Sequence, residues 1–315
     1  MYKLLLLLSF FFLPLLAKDI YPTFKLKSTG FVNDFVVVKN IIYIATDEGT
    51  VDIFDLNTQK AINHIILDPI TSRIQKLISP NILSIDYLNG KLLILSTGSG
   101  PYKNIWIYEN SQLTKIIDED KKLTIKEARF IDNEKILLGT FGSEILLHDT
   151  KEKYNLYKSH ISQSTLGDIQ LSKNKKEFVF SDESGEIRLI DVQSSKILKI
   201  FSSQNVDNVY HVAYANGVII TAGQDRRIAV YQDGQKDYHI KSNFLVYCVG
   251  ITPSGKTGVY TSTEKNHLQL FNTKTKRKTD TLVGHKAIVN QIKFINEKEL
   301  FSCDRGPYVY YWRLD

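Results

Sequence analysis

The stretch that decides the fold is Val51-Asp52-Ile53-Phe54-Asp55-Leu56, a short β-rich segment whose pattern recurs six more times along the chain. The later copies are Ile105-Trp106-Ile107-Tyr108-Glu109, Ile145-Leu146-Leu147-His148-Asp149, Ile187-Arg188-Leu189-Ile190-Asp191, Ile228-Ala229-Val230-Tyr231-Gln232, Leu268-Gln269-Leu270-Phe271-Asn272 and Val309-Tyr310-Tyr311-Trp312-Arg313. Aligned on Phe54, Tyr108, His148, Ile190, Tyr231, Phe271 and Trp312, the copies lie 54, 40, 42, 41, 40 and 41 residues apart. Such regular spacing predicts seven similar β-rich units.

Each unit reads as four strands joined by short turns that are rich in Gly, Asn and Asp. A four-stranded repeat of about 40–45 residues is typical of a β-propeller blade. The chain stops at Asp315, directly after the third strand of unit seven, and Thr23 to Lys27 forms an extra alternating run before unit one. We expect this N-terminal strand to complete the last blade, because ring closure protects sheet edges. The sequence therefore predicts an all-β, seven-bladed propeller forming one domain over residues 18–315.

The N-terminus has the sequence pattern of an export signal. Lys3 precedes an apolar run from Leu4 to Leu16, and Ala17 supplies a small residue before the polar Lys18. This pattern predicts a signal peptide over residues 1–17 and an exported mature chain that starts near Lys18. An uncleaved anchor is the alternative. No later segment is long and apolar enough to span a bilayer, so no membrane insertion is expected after cleavage.

Composition and charge exclude some function classes. Without Lys3 the chain has 39 basic against 34 acidic residues, and the basic residues are scattered, apart from a cluster at Lys274 to Lys278. A nucleic-acid binder usually concentrates charge on one face, so none is expected as a partner. The two cysteines, Cys248 and Cys303, are too few for a disulfide scaffold; export would permit a bridge, but two buried thiols are the favoured interpretation. We expect a monomer.

No motif in the sequence supports catalysis. The seven histidines are dispersed without metal-ligand spacing, and neither a phosphate-binding glycine loop nor a nucleophile elbow is present. Carboxylates recur in the turns, where turn chemistry alone explains them. We therefore expect a protein that is not an enzyme and that uses no metal and no cofactor.

Polar turns are the candidate sites for a protein partner. In propellers the loops before the first strand and the turns before the third strand share one face, and insertions on that face often contact partners. The predicted partner-binding residues are Asp47, Glu48, Asp207, Asn208, Tyr210, Gln224, Asp225, Arg226, Arg227, Asp304 and Arg305. The paired arginines beside Asp225 suit either recognition of partner carboxylates or an internal ion pair.

The first interval exceeds the usual 41 residues by 13. Part of the excess lies in Asp68 to Asn81, which places Ile70, Ile74, Leu77 and Ile78 at helical spacing, and part in the loop from Thr97 to Lys103. The insertion is interpreted either as a partner contact or as a local cap that covers apolar surface.

The repeat resembles the WD40 family over residues 23–315. The positions that carry the resemblance are Trp312, Asp55, Asp149, Asp191, Gly284-His285, Thr221 and Asp225. The resemblance implies a Trp–Ser/Thr–His–Asp hydrogen-bond set in each blade. Unit seven offers Trp312, Ser302 and His285, but Gly306 stands where the acid is expected, so no unit is predicted to hold the whole set.

The chain also resembles the NapL-type accessory proteins of bacterial periplasmic nitrate reductase systems. The resemblance rests on residues 45–55, 206–210 and 221–227. It implies a non-catalytic role in enzyme maturation or electron delivery, with nitrate reductase subunits or cytochromes as partners, and it transfers no functional residue. The alternatives are a general envelope scaffold and an enzyme or quinone-cofactor propeller with a site in its central channel.

Overall fold

In the described part of the chain, seven sheets of four or five strands follow one another, and each is built mainly from antiparallel strands that are consecutive in sequence. The structure is a computed structural model that describes residues 17–72 and 74–314. The predicted signal peptide lies outside these residues except for Ala17. No helix in the described part of the chain is long and apolar enough to cross a membrane.

Two short strands, β1 (Asp19–Ile20) and β2 (Phe24–Lys27), precede the first blade. Blade one consists of β3 (Val32–Val38), β4 (Ile41–Thr46), β5 (Thr50–Asp55) and β6 (Lys60–Ile66). An inserted hairpin, β7 (Ile70–Thr71) and β8 (Leu77–Ile78), comes next. Blade two consists of β9 (Ile82–Leu88), β10 (Lys91–Thr97), β11 (Lys103–Glu109) and β12 (Gln112–Ile117), followed by a single 3-10 turn at Glu119–Lys121. Blade three consists of β13 (Ile125–Phe130), β14 (Lys135–Thr140), β15 (Glu144–Asp149) and β16 (Tyr154–His160).

The remaining four blades repeat this order. Blade four consists of β17 (Leu166–Leu171), β18 (Glu177–Asp182), β19 (Ile187–Asp191) and β20 (Ile197–Phe201). Blade five consists of β21 (Val209–Ala215), β22 (Val218–Gly223), β23 (Arg227–Gln232) and β24 (Tyr238–Lys241). Blade six consists of β25 (Val249–Ile251), β26 (Thr257–Thr261), β27 (Leu268–Asn272) and β28 (Lys278–Leu282). Blade seven begins with β29 (Val289–Phe294), β30 (Glu299–Asp304) and β31 (Tyr308–Arg313).

The N-terminal segment closes the ring, which confirms the prediction. Strand β2 pairs antiparallel with β31, with Phe24 opposite Tyr311 and Lys27 opposite Tyr308, and so supplies the outer strand of blade seven. Strand β1 adds a contact that the sequence did not predict, because it pairs in parallel with β28 as a fifth strand of blade six. The chain therefore enters the ring across its last two blades.

The apolar core lies between neighbouring blades. Seven clusters of buried side chains are found among the described residues, and each draws its members from two adjacent blades. Some middle strands are buried on both faces, and these have near-continuous apolar runs such as Leu92 to Leu95. Cys248 and Cys303 belong to this core as buried free thiols, and burial raises their pKa values.

The helical interpretation of the first insertion is wrong. Ile70 pairs with Ile78 and Thr71 with Leu77, so the segment is a β-hairpin. Its apolar side chains do not form a cap either, since Ile74 is 74% exposed and Leu77 is 75% exposed. A helix of this length is stable only when one apolar face is buried. The apolar side chains of this segment are exposed, so a helix here would lack that stabilisation.

Truncation of the closing strand tests its contribution to stability. We expect Leu26→Ala to lower the free energy of unfolding by about 3 kcal/mol, because Leu26 is buried among residues of blades seven and one. Lys27→Ala, at an exposed position of the same strand, should change it by less than about 0.5 kcal/mol. Equal changes in the two denaturant-unfolding midpoints would contradict closure by β2.

Candidate functional site

The predicted site residues lie on one face of the ring. Because the first and third strands of a blade run in the same direction, the connection into the first and the turn into the third meet at one end of the blade. Backbone hydrogen bonds join the two in blade after blade, with Asp47 N donating to Phe31 O at 3.0 Å, Gln224 N to Asn208 O at 2.8 Å and Arg305 N to Ile288 O at 3.0 Å. We call this end the loop face. Blades one, five and seven bring the predicted residues to it, as separate groups.

Blade seven contains the complete WD40 hydrogen-bond set, which corrects the sequence interpretation. Trp312 Nε1 donates to Ser302 Oγ at 2.7 Å, Ser302 Oγ lies 2.7 Å from His285 Nε2, and His285 Nδ1 lies 3.0 Å from Asp304 Oδ2. The acid is thus Asp304, two residues before Gly306. Burial lowers the pKa of His285, against the opposing effect of Asp304.

Asp304 is therefore a structural residue rather than a partner-facing one. Its side chain is buried, and its Oδ2 also accepts a hydrogen bond from the backbone of Lys286 at 3.1 Å. That bond fixes the connection leading into blade seven. Arg305, next in the chain, is exposed on the loop face.

Blade five repeats this arrangement with substitutes. Thr221 Oγ1 donates to Asn205 Oδ1 at 2.8 Å, so Asn205 takes the place of the histidine. Asp225 accepts hydrogen bonds from the backbone of Val206 at 2.9 Å and of Arg227 at 2.9 Å. Arg227 in turn donates from Nη1 to the carbonyl of Gln204 at 2.6 Å. Asp225 and Arg227 therefore brace the loop.

Other predicted residues of blade five remain on the surface. Arg226 and Gln224 are exposed, and Gln224 Oε1 accepts a hydrogen bond from the Tyr210 hydroxyl at 2.8 Å. The Tyr210 ring stacks on Tyr247 of the next blade, with centroids 5.7 Å apart. Asp207 is also exposed, and Asn208 is half-buried beside it. These side chains form a polar and aromatic patch that could meet a partner.

The two insertions that break the repeat form one raised feature on the loop face. Ser99 Oγ donates to Thr71 O at 3.3 Å, which joins the loop of residues 98–102 to the β7–β8 hairpin. The base of the hairpin rests on blade one, where Leu67 N donates to Gly49 O at 2.9 Å. We call the hairpin and this loop together the ridge. It rises beside the predicted Asp47-Glu48 turn, in which Asp47 Oδ1 caps the backbone of Phe31 at 2.7 Å and Glu48 is exposed.

A charged cluster at the ring axis was missed by the sequence interpretation. Each first strand contacts the first strands of its two neighbours, so these strands encircle the axis. Their third and fifth positions carry the cluster, and a contact of 3.4 Å between His211 Nε2 and Gln291 Oε1 spans the non-adjacent blades five and seven. The charged members are Asp34, Asp86, Glu127, Arg129, Asp168 and Lys293. The recurrence of polar residues at these two strand positions was the signal that could have revealed it.

Three carboxylates of the cluster connect adjacent blades. Asp34 accepts from the backbone of Ile85 at 3.0 Å, Asp86 from that of Phe130 at 2.8 Å, and Asp168 from that of Val212 at 2.9 Å. In each case an acid on one first strand binds the first strand of the next blade. Separation of neighbouring blades would remove the partner of each carboxylate, and a buried charge without a partner lowers the stability of the fold.

Glu127 is the electrostatic exception in the cluster. Burial raises its pKa to about 7, because the neighbouring Asp168 and Asp34 add to the effect and Arg129 only partly offsets it. Arg129 Nη2 lies 2.8 Å from Glu127 Oε2, although the contact lacks hydrogen-bond alignment. Lys293 instead pairs with Asp34 at 2.6 Å, and together with Arg129 it keeps the pKa of Asp34 low despite burial. The three aspartates at the axis are thus engaged with structural partners.

Removal of the central hydroxyl in blade seven tests the hydrogen-bond set. Ser302 joins Trp312 and His285, whereas Ser96 in blade two bonds only Trp106 at 3.0 Å. We expect Ser302→Ala to lower the free energy of unfolding by about 2 kcal/mol, and Ser96→Ala by about 1 kcal/mol, since fewer buried groups lose a partner there. Denaturant titration of both variants measures the difference, and a larger loss for Ser96→Ala would contradict the assignment.

The raised pKa of Glu127 predicts how the free energy of unfolding depends on pH. Its folded-state pKa is above the unfolded value of 4.5, so the folded state holds the proton more tightly and stability falls as pH rises from 4.5 to about 7. Glu127→Gln should flatten this slope and stabilise the protein above pH 7 by on the order of 2 kcal/mol. Glu264→Gln, at an exposed turn, controls for net charge and should keep the slope. Identical slopes in all three proteins would overturn the prediction.

Comparison with known proteins supports the fold and goes no further. No family model and no curated protein matches the chain. Among solved structures, the β-propeller domain of Cps50 (Swd1) from Myceliophteria thermophila is similar, with a TM-score of 0.73. The sequences are 13% identical, and the match covers 93% of this chain and 99% of that domain. The chain thus has the fold of a seven-bladed WD40-like β-propeller.

Proposed function

We propose that this propeller is a non-catalytic docking protein that binds a protein partner through its loop face. The observation that carries the proposal is the ridge, which breaks the repeat and leaves large apolar side chains in solvent. Ile74 and Leu77 are 74% and 75% exposed, and Ile78 is 46% exposed on the same hairpin. A two-stranded hairpin of this size is marginally stable by itself. A partner that covered these side chains would bury their apolar surface and so stabilise the hairpin and the complex.

The surroundings of the ridge suit a protein interface. Phe31 is 55% exposed and lies next to the Asp47-Glu48 turn, on which the base of the ridge rests. Apolar anchors bordered by charged groups are the usual anatomy of such interfaces, since the anchors supply affinity and the charged rim supplies specificity. Arg226, Gln224 and Arg305 extend the polar part of the loop face on blades five and seven.

Docking is favoured over catalysis by the state of the acids at the axis. A central-channel enzyme needs converging acids with altered pKa values, and Glu127 has one. Asp34, Asp86 and Asp168, however, are bound to the backbone of neighbouring blades. Carboxylates committed in this way hold neighbouring blades together, and this supports a structural role for the axis over acid–base chemistry.

The partner system that we propose is a periplasmic nitrate reductase. Support comes from the apolar N-terminal run, which suits export, and from the resemblance to NapL-type accessory proteins in residues 45–55, 206–210 and 221–227. The chain would act in maturation or electron delivery by contacting the reductase or its cytochromes. A general envelope scaffold would use the same surface with other partners.

Polar substitutions on the ridge test the docking surface. We expect Ile74→Ser with Leu77→Ser to weaken capture of reductase subunits from periplasm at least tenfold, because two apolar anchors are lost. Leu198→Ser with Ile200→Ser, both 51% exposed on the outer edge of blade four, is the matched control and should bind normally. Quantified pull-down of the two double variants measures the effect. Unchanged capture by the ridge variant would exclude the ridge as the contact.

The nitrate assignment has its own test. A strain that lacks this chain should show reduced periplasmic nitrate reductase activity or incomplete cofactor loading of the reductase. Arg226→Ala, with Lys274→Ala on the opposite face as its control, then asks whether blade five contributes. Normal activity and normal loading in the deletion strain would remove the nitrate role and leave the general scaffold.

A further inference from the structure

The start of the predicted mature chain is bound to blade six. Thr281 N donates to Lys18 O at 2.9 Å, and Val283 N donates to Ile20 O at 2.9 Å, which continues the parallel pairing of β1 with β28. The backbone nitrogen of Lys18 itself donates to Asp280 Oδ1 at 3.0 Å. Ala17 and Lys18 are both exposed, so a peptidase could reach the peptide bond between them.

Cleavage of that bond changes the chemistry of one atom in this contact. Hydrolysis consumes one water, the carboxylate leaves with Ala17, and the nitrogen of Lys18 takes up protons to become an α-ammonium group. Free α-amino groups have pKa values of about 7.7–8.0, so the nitrogen is largely charged at neutral pH. A neutral amide that donates to Asp280 would thereby become a cation hydrogen-bonded to a carboxylate, and charge-assisted bonds are stronger.

We propose that Asp280 is the binding site for the α-ammonium group of the mature chain, which a signal peptidase creates by cutting between Ala17 and Lys18. This inference rests on the export that is part of the proposed function. The site assigns a role to a carboxylate on the outer strand of blade six, and it predicts Lys18 as the first residue of the mature chain, since only a chain that begins there places its terminal nitrogen at Asp280.

The contact lies a few residues ahead of the strand that closes the ring. Strand β1 has only two residues, and it leads directly into β2, which supplies the outer strand of blade seven. An ion pair at the first residue would anchor the segment that β2 depends on. Three other charged side chains lie near this contact: Lys18 itself, Asp19 on β1 and Lys278 on β28. Lys278 interacts with Tyr260.

The first experiment determines the N-terminal residue of the protein recovered after export, by intact mass and N-terminal sequencing. The expected result is Lys18. A chain that begins at another residue, or that retains the leader, would overturn the proposal.

The second experiment measures the ion pair in purified chains. Amide hydrogen exchange of Val283 and Thr281 is compared between the chain that begins at Lys18 and a chain that begins at Ala17, each with and without Asp280→Asn. We expect protection to fall about two- to fivefold when either the charge or the carboxylate is removed, with no further loss when both are removed. Asp19→Asn is the control and should leave the effect intact. Independent, additive losses or no loss at all would contradict the site.

These outcomes are separate from those of the docking tests. Loss of the nitrate role or of ridge binding would leave the N-terminal residue and the exchange rates unaffected. Failure of the ion pair would leave partner capture by the ridge unaffected.

Discussion

The ring depends on one pairing, that of β2 with β31. Every blade buries its two apolar faces against its neighbours, and blades seven and one complete theirs only when the ring is closed. The pairing sets Leu26 against Val309 and brings Phe24 to stack on Tyr311 with ring centroids 4.6 Å apart. The ion pair between Lys293 and Asp34 at the axis also requires blades seven and one to lie side by side.

Ring closure also affects what the loop face can tolerate. Because the apolar core lies between blades, the sequence of the turns on the loop face can vary without loss of the fold. Blade seven uses its turn for structure, through Asp304, and blade five uses Asp225 in the same way. The ridge on blades one and two differs, because its exposed apolar side chains do not brace a blade in this way. It adds residues that the fold does not need, and this contrast supports its assignment to a partner.

The fold was predictable because the spacing of strand segments survives when their motif residues do not. The blade count, the closing strand and the shared face all follow from that spacing. Prediction failed where contacts depend on local geometry: Asp304 reaches His285 from a position two residues away from the expected one, and Ile74 and Leu77 match helical spacing in a segment too short to bury a helix face. The axial cluster was missed because Asp34, Glu127 and Asp168 are far apart in sequence and meet only when strands of different blades encircle the axis. Strand β1 is too short for any pattern to reveal it.

The pairing of the two chain ends has a consequence for the order of folding. The partners of β2 in β31 lie more than 280 residues further along the chain, so β2 can pair only after all seven blades have been synthesised. Such contacts are slow to form and leave apolar blade faces exposed in the meantime. The same topology that seals the finished ring thus delays completion of the core until the strands of blade seven are available.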